Sequence, residues 1–282
     1  MNAIEMKNVT KSYKDFTLDN INLTLPSGCI MGLIGENGAG KSTTIKLIMN
    51  TISRDSGCIT VLGKDNQSSA FTDIKEDIGI VLDEAYYPEI LNAQHVNVIM
   101  KNTYKRWDEN CYFYYIKRFS LPLNKPFKDY SRGMKMKLAI AVALSHSPKL
   151  LILDEATSGL DPIVRDEILD IFNDFTRDET HSVLISSHIT SDLEKICDYI
   201  TFIHKGKLLF SVEKDRLFED YGIVHVSKSD FEAIPKSAVV GFKDTGYSIE
   251  ALVKRKSISA KFATERATIE EIVLFLVKGG KR

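Results

Sequence analysis

The sequence predicts an α/β fold: a mixed sheet covered by helices, with a helical insertion and a small C-terminal α+β extension. Three observations predict it. Four short runs, 29–34, 78–82, 150–153 and 182–186, are almost wholly apolar and lack alternation, as strands buried on both faces do. They alternate with stretches of helical periodicity, the order that lays helices on the faces of a sheet. Between the first run and a helical stretch stands a glycine-rich turn, Gly35-Glu-Asn-Gly-Ala-Gly-Lys-Ser-Thr.

The elements follow in order. Residues 4–9 and 21–25 are β-rich strand candidates, 29–34 is the first buried strand, and 41–49 is the helix after the glycine turn. The strand at 78–82 precedes a stretch of about 85–147 with no strand candidate. This reads as a helical insertion, with helices at 109–119 and 132–145. Strands 150–153 and 182–186 flank a helix at 162–176, and a helix at 191–197 leads to a strand at 200–204. Beyond residue 207 the character changes: residues 214–282 hold 13 Lys/Arg against 10 Asp/Glu, with strands at 223–226 and 238–242 and a helix at 268–278. Two domains are therefore expected, 1–213 and 214–282.

Composition narrows the function. Hydrophobic residues make up 44% and charged residues 27% of 282, enough to bury a core. Lys plus Arg number 37 against 38 Asp plus Glu, so the basic surplus of a phosphate-backbone binder is missing and no nucleic-acid partner is expected. The longest apolar runs, 138–144 and 272–277, fall short of the ~20 residues that span a bilayer. The start, MNAIEMKNVTKSYKD, lacks the apolar core of a signal peptide. Four cysteines show no paired spacing, against a disulfide framework or a zinc site. A cytoplasmic location is expected.

The glycine turn fits G-x-x-x-x-G-K-[ST] and sits between strand and helix, where its chemistry requires it. Glycines let successive N–H groups point at a phosphate chain, and the helix adds its positive N-terminal end. Lys41 supplies charge to the β- and γ-phosphates, and the Ser42 hydroxyl can ligate Mg²⁺. The second carboxylate such a site needs comes at the end of the strand 150–153: Asp154 for the Mg²⁺, and Glu155 to take a proton from an attacking water. The expected core is a P-loop NTPase.

With these residues on the page, the chain resembles the ATP-binding subunit of ABC transporters over about residues 1–210. The loop carrying Gly35, Asn37, Gly38, Ala39, Gly40, Lys41, Ser42 and Thr43 looks like Walker A, and residues 150–155 like Walker B. Ser158, Gly159, Leu160 and Asp161 are similar to the D-loop, and His188 to the switch histidine. Tyr13 falls where the family places an aromatic ring under adenine. The family signature, usually LSGGQ, reads Tyr130-Ser131-Arg132-Gly133-Met134: Ser131 and Gly133 keep it, while Arg132 and Met134 depart from it. A serine before a helical run is also a helix cap. Where the family has a metal-touching glutamine, this chain has Asp83.

The resemblance implies ATP and Mg²⁺ as cofactors and a head-to-tail dimer, homo- or heterodimeric, in which Ser131, Gly133 and Asp161 face ATP held by the second subunit. It also implies a separate transmembrane subunit and a position on the inner face of the cell membrane. The signature and the extension look like exporter ATPases of the drug, bacteriocin and cytolytic-peptide group. Tyr86 and Tyr87 are the expected contacts with the membrane subunit. Tyr112, Tyr115 and Phe119, at helical i, i+3, i+7 spacing, are expected in the core. Two other readings stay open: an ABC ATPase acting on ribosomes or DNA, and a nucleotide-gated module that hydrolyses little.

Overall fold

The computed structural model describes residues 1–83 and 87–280, which fall into two units, Met1–Ser211 and Val212–Arg282. The first holds strands β1 (Asn2–Ser12), β2 (Thr17–Pro26), β3 (Ile30–Ile34), β4 (Ser56–Val61), β5 (Lys64–Asp65), β6 (Ile78–Val81), β7 (Leu150–Asp154), β8 (Ser182–Ser186) and β9 (Tyr199–His204), with β10 (Lys207–Glu213) running to its end. They form one sheet in the order β5-β4-β1-β2-β10-β9-β3-β8-β7-β6. Its helices are α1 (Lys41–Ile48), α2 (Phe71–Ile74), α3 (Ala93–Thr103), α4 (Glu109–Arg118), α5 (Arg132–Leu144), α6 (Pro162–Phe175) and α7 (Thr190–Ile196). The α/β expectation is borne out.

Every residue of β3, β7 and β8 is buried, which is why these strands read as continuous apolar runs. They are parallel, with Leu33 beside Ser186 and Ser186 beside Asp154. The chain therefore leaves all three at the same edge of the sheet, where open α/β sheets bind their ligands. The other half is antiparallel, β2–β1–β4–β5. Its strands show one face to the core, as in the alternating burial of β2.

Between β6 and β7 the described residues 87–147 contain helices and no strand. Each helix starts on a side-chain cap: Asn92 accepts from the His95 N–H, Asp108 from those of Asn110 and Cys111, and Ser131 from that of Met134, contributing about 1 kcal/mol apiece. Tyr112 is fully buried and its hydroxyl donates to the Ala93 carbonyl at 2.8 Å. Phe119 is buried and Tyr115 half-buried, so this aromatic row is core. Tyr87 is half-buried and packs edge-on against Phe127, their centroids 5.2 Å apart. Tyr86 lies outside the described residues.

The second unit has helices α8 (Lys214–Asp220), α9 (Lys228–Ala233) and α10 (Ile269–Lys278), and strands β11 (Tyr221–Val226), β12 (Val239–Asp244), β13 (Ile249–Lys254) and β14 (Glu265–Arg266). The strands form an antiparallel sheet, β12-β13-β11-β14. Its core gathers Val224, Phe231, Ile234, Ala251 and Val253. A reciprocal cap between Thr268 and Glu271 starts α10.

Candidate functional site

The turn after β3 closes on itself before α1 begins. The Ala39 N–H donates to the Glu36 carbonyl at 3.0 Å, and Gly40, at φ +118°, supplies a backbone turn that a side chain would strain. The close approach is also steric: a Cβ on Gly40 would lie 2.8 Å from Leu18 Cδ1. Gly38, at φ +80°, has open space where its Cβ would be. Lys41 is buried, and its ammonium donates to the Gly35 carbonyl at 2.7 Å across the turn. The first N–H groups of α1 have no partner within the helix and point their positive end out of it.

The second wall comes from β7 and β8. Asp154 ends β7 almost fully buried, and the Ser186 hydroxyl donates to its Oδ1 at 2.6 Å. The same hydroxyl accepts the Glu155 N–H at 3.1 Å, alongside the Ser186 carbonyl at 3.1 Å. These bonds hold Glu155 in the left-handed region, φ +53°, a conformation that costs a non-glycine residue about 1–2 kcal/mol. Its carboxylate lies 3.5 Å from Lys41 Nζ and 2.6 Å from His188 Nδ1. The Nδ1–H tautomer of His188 donates to that carboxylate, and most of its ring is exposed.

The cleft enclosed is about 600 Å³, lined by Tyr13, Asp15, Phe16, Glu36, Asn37, Gly38, Gly40, Lys41, Ser42, Thr43, Asp83 and Glu155. Tyr13 is half-exposed, on a β1–β2 turn closed by its N–H to the Phe16 carbonyl at 2.7 Å. Asp83 faces the cleft while pairing with Arg132 Nη2 at 2.8 Å. Gly35 and Ala39 contribute backbone to the turn. Ser131 and Asp161 are helix caps, Asp161 accepting from the Val164 N–H at 3.0 Å. With Gly133, in the first turn of α5, they lie outside the lining of this cleft. Asp15, Phe16, Glu36 and Ser186 join the site unforeseen. Only Phe16 carried a signal, an aromatic three residues after Tyr13.

The donors suit a hard cation beside a phosphate chain: the Ser42 hydroxyl and the Asp83 carboxylate line the cleft, and the Asp154 carboxylate ends β7 next to Glu155. Among the described residues no three His, Cys, Asp or Glu side chains converge to cage an ion by themselves.

The sequence and the fold are similar to those of known proteins. The profile of the family described as "ABC transporter" matches residues 18–158. The lantibiotic transport ATP-binding protein SrtF of Streptococcus pyogenes is 37% identical over 215 residues, 75% of this chain and 91% of the relative. The bacitracin transport ATP-binding protein BcrA of Enterococcus faecalis is 33% identical over 219 residues, 76% of this chain and 70% of the relative. Among solved structures, an ATP-binding subunit of an ABC transporter superposes with a TM-score of 0.69 at 26% identity, covering 76% of this chain and 91% of its own. A dimeric ATP-binding cassette bound to ADP and Pi reaches 0.68 at 22% identity over 74% and 98%, a likeness of fold.

Proposed function

Because the chain belongs to the ABC transporter family, we propose that it is the ATP-hydrolysing subunit of an exporter of peptide or drug-like compounds. It works as a head-to-tail dimer with a separate membrane subunit, on the inner face of the cell membrane. The observation that carries this is the convergence of Lys41, Glu155 and His188 at one sheet edge. A phosphate-binding lysine and a candidate base line one cleft, and the group that orients the base bonds to it from beside the cleft.

ATP lies with its phosphates along the turn 35–43 and its adenine against Tyr13. Lys41 moves its ammonium from the Gly35 carbonyl and Glu155 toward the phosphates. Glu155 accepts the proton of the water that attacks the γ-phosphate, and His188 keeps its carboxylate aimed. Ser42, Asp154 and Asp83 would hold Mg²⁺, which would supply positive charge to the phosphates. Ser131, Gly133 and Asp161 lie outside the subunit's own cleft, which suits roles on ATP bound by the partner. SrtF and BcrA, named for lantibiotic and bacitracin transport, support export of peptide-like cargo. No helix of the described residues is long and apolar enough to cross a membrane.

Replacing Glu155 with Gln tests the reading. The phosphate cradle stays intact, so a fluorescent ATP analogue still binds and light scattering detects an ATP-dependent dimer. Hydrolysis falls by about 10²–10⁴ with loss of the base. Hydrolysis at the parental rate would remove Glu155 from its role.

A further inference from the structure

Three buried side-chain atoms that lack a hydrogen bond of ordinary geometry cluster at one place: Thr157 Oγ1, Arg165 Nε and Asp192 Oδ2. Thr157 lies two residues beyond Glu155, Arg165 in the first turn of α6, and Asp192 in the first turn of α7. Thr157 and Asp192 are almost fully buried. Neither Arg165 nor Asp192 lines the cleft.

The guanidinium of Arg165 reaches two ways. Its Nη2 donates to the Leu160 carbonyl at 3.1 Å, inside the loop 158–161. Its Nε stands 3.8 Å from Asp192 Oδ2, an ion-pair distance too long for a hydrogen bond. Asp192 is tied to the histidine turn. Its N–H donates to the Ile189 carbonyl at 3.2 Å, and the Ile189 N–H donates to Ser187 Oγ at 3.0 Å. Burial pushes the Asp192 carboxyl up, opposed by the Thr157 hydroxyl and by the charges of Arg165, Lys195 and His188. Nε and Oδ2 are both buried and stand just beyond hydrogen-bond reach of each other, so the arrangement improves if the loop moves toward α7 and Nε closes onto Oδ2.

We propose that Arg165 and Asp192 are a positioning pair that couples the loop 158–161 to the turn carrying His188, and so sets His188 on Glu155. The pair lies outside the lining of the cleft and acts through His188. This rests on the ATPase reading of the cleft. If that loop meets a second subunit, docking is transmitted through the guanidinium to the histidine.

The test is steady-state ATP hydrolysis by the full chain with Arg165→Gln, Arg165→Lys, Asp192→Asn and the Arg165→Gln/Asp192→Asn double variant. A fluorescent ATP analogue reports binding, and thermal unfolding reports integrity. Misplacing a catalytic group lowers kcat by about ten- to a hundredfold, with KM and analogue affinity within about twofold of the parent. Arg165→Lys recovers little, because one ammonium cannot serve both Leu160 and Asp192. The double variant is no slower than the slower single variant. A hydrolysing parent whose Arg165→Gln and Asp192→Asn variants keep its kcat overturns the pair alone, as do single effects that multiply in the double variant. A folded parent without hydrolysis sinks the ATPase reading and the pair with it. Should Asp192→Asn unfold, Arg165→Lys still decides by its split between kcat and KM.

Discussion

Two glycines of the same turn separate what the fold needs from what the ligand needs. Gly40→Ala forces a Cβ onto a residue at φ +118°, 2.8 Å from Leu18 Cδ1 and 3.1 Å from Phe16 Cζ. Leu18 is fully buried, so its methyl has nowhere to go. The backbone strain costs about 1–3 kcal/mol and the overpacking about 1–3 kcal/mol. A stiffer unfolded chain returns about 0.4–1 kcal/mol, leaving a net loss of about 3 kcal/mol. Gly38→Ala meets no atom within 4 Å at φ +80°. It keeps only the strain, less the same offset, for a net loss of about 1 kcal/mol. Urea unfolding followed by the fluorescence of Trp107 measures both, and titration with a fluorescent ATP analogue gives the second axis. Gly40→Ala is expected to lose more stability than Gly38→Ala. Gly38→Ala, whose methyl stands at the cleft, is expected to lose more affinity than its stability change explains. If the two variants unfold within 0.5 kcal/mol of each other, the packing of Gly40 against Leu18 is not what constrains the turn.

Two further outcomes follow from charged groups. Asp83→Asn removes an exposed pair with Arg132, so stability changes by no more than about 1 kcal/mol. The Mg²⁺ dependence of hydrolysis shifts if Asp83 reaches the metal, and an unchanged Mg²⁺ titration makes it a loop residue only. His146 is buried under Tyr104, with Nε2 3.1 Å from the Ile78 carbonyl and Nδ1 3.3 Å from that of Val142. Burial holds its pKa below the ordinary 6.5 despite those carbonyls. The unfolded chain therefore takes up a proton first. The contribution is whole above about pH 6.5 and is lost as pH falls toward the lowered folded-state value, with a slope of up to about 1.4 kcal/mol per pH unit. Urea unfolding between pH 7.5 and 5.5 should show a flatter dependence for His146→Gln, and parallel curves would remove His146 from the pH response.

What could be read in advance, and what could not, divides along a physical line. β3, β7 and β8 announce themselves because both faces exclude polar residues. The turn between β3 and α1 is equally legible, since backbone at positive φ admits little but glycine. β4 escapes notice: it opens on three exposed residues, and Gly57 at φ +84° gives it the signature of a turn until β1 lies beside it. β10 is half-buried along its length and lacks a clean alternation. In the site, the acids, the lysine and the histidine carry their chemistry in their side chains and can be suspected from the chain alone. Ser186 cannot, because a serine in an apolar strand says nothing of what lies across from it. Only the parallel register of β7 and β8 sets its hydroxyl under Asp154 and against the Glu155 N–H. The same holds for Arg132 with Asp83, and for Arg165 with Asp192. Each joins charges that are distant in sequence and near only after folding. Reactive groups are thus legible one by one, whereas the contacts that aim them exist only in three dimensions. A substitution at Ser186 or Arg165 therefore tests this site as directly as one at Glu155, because aim separates a working base from a carboxylate beside a lysine.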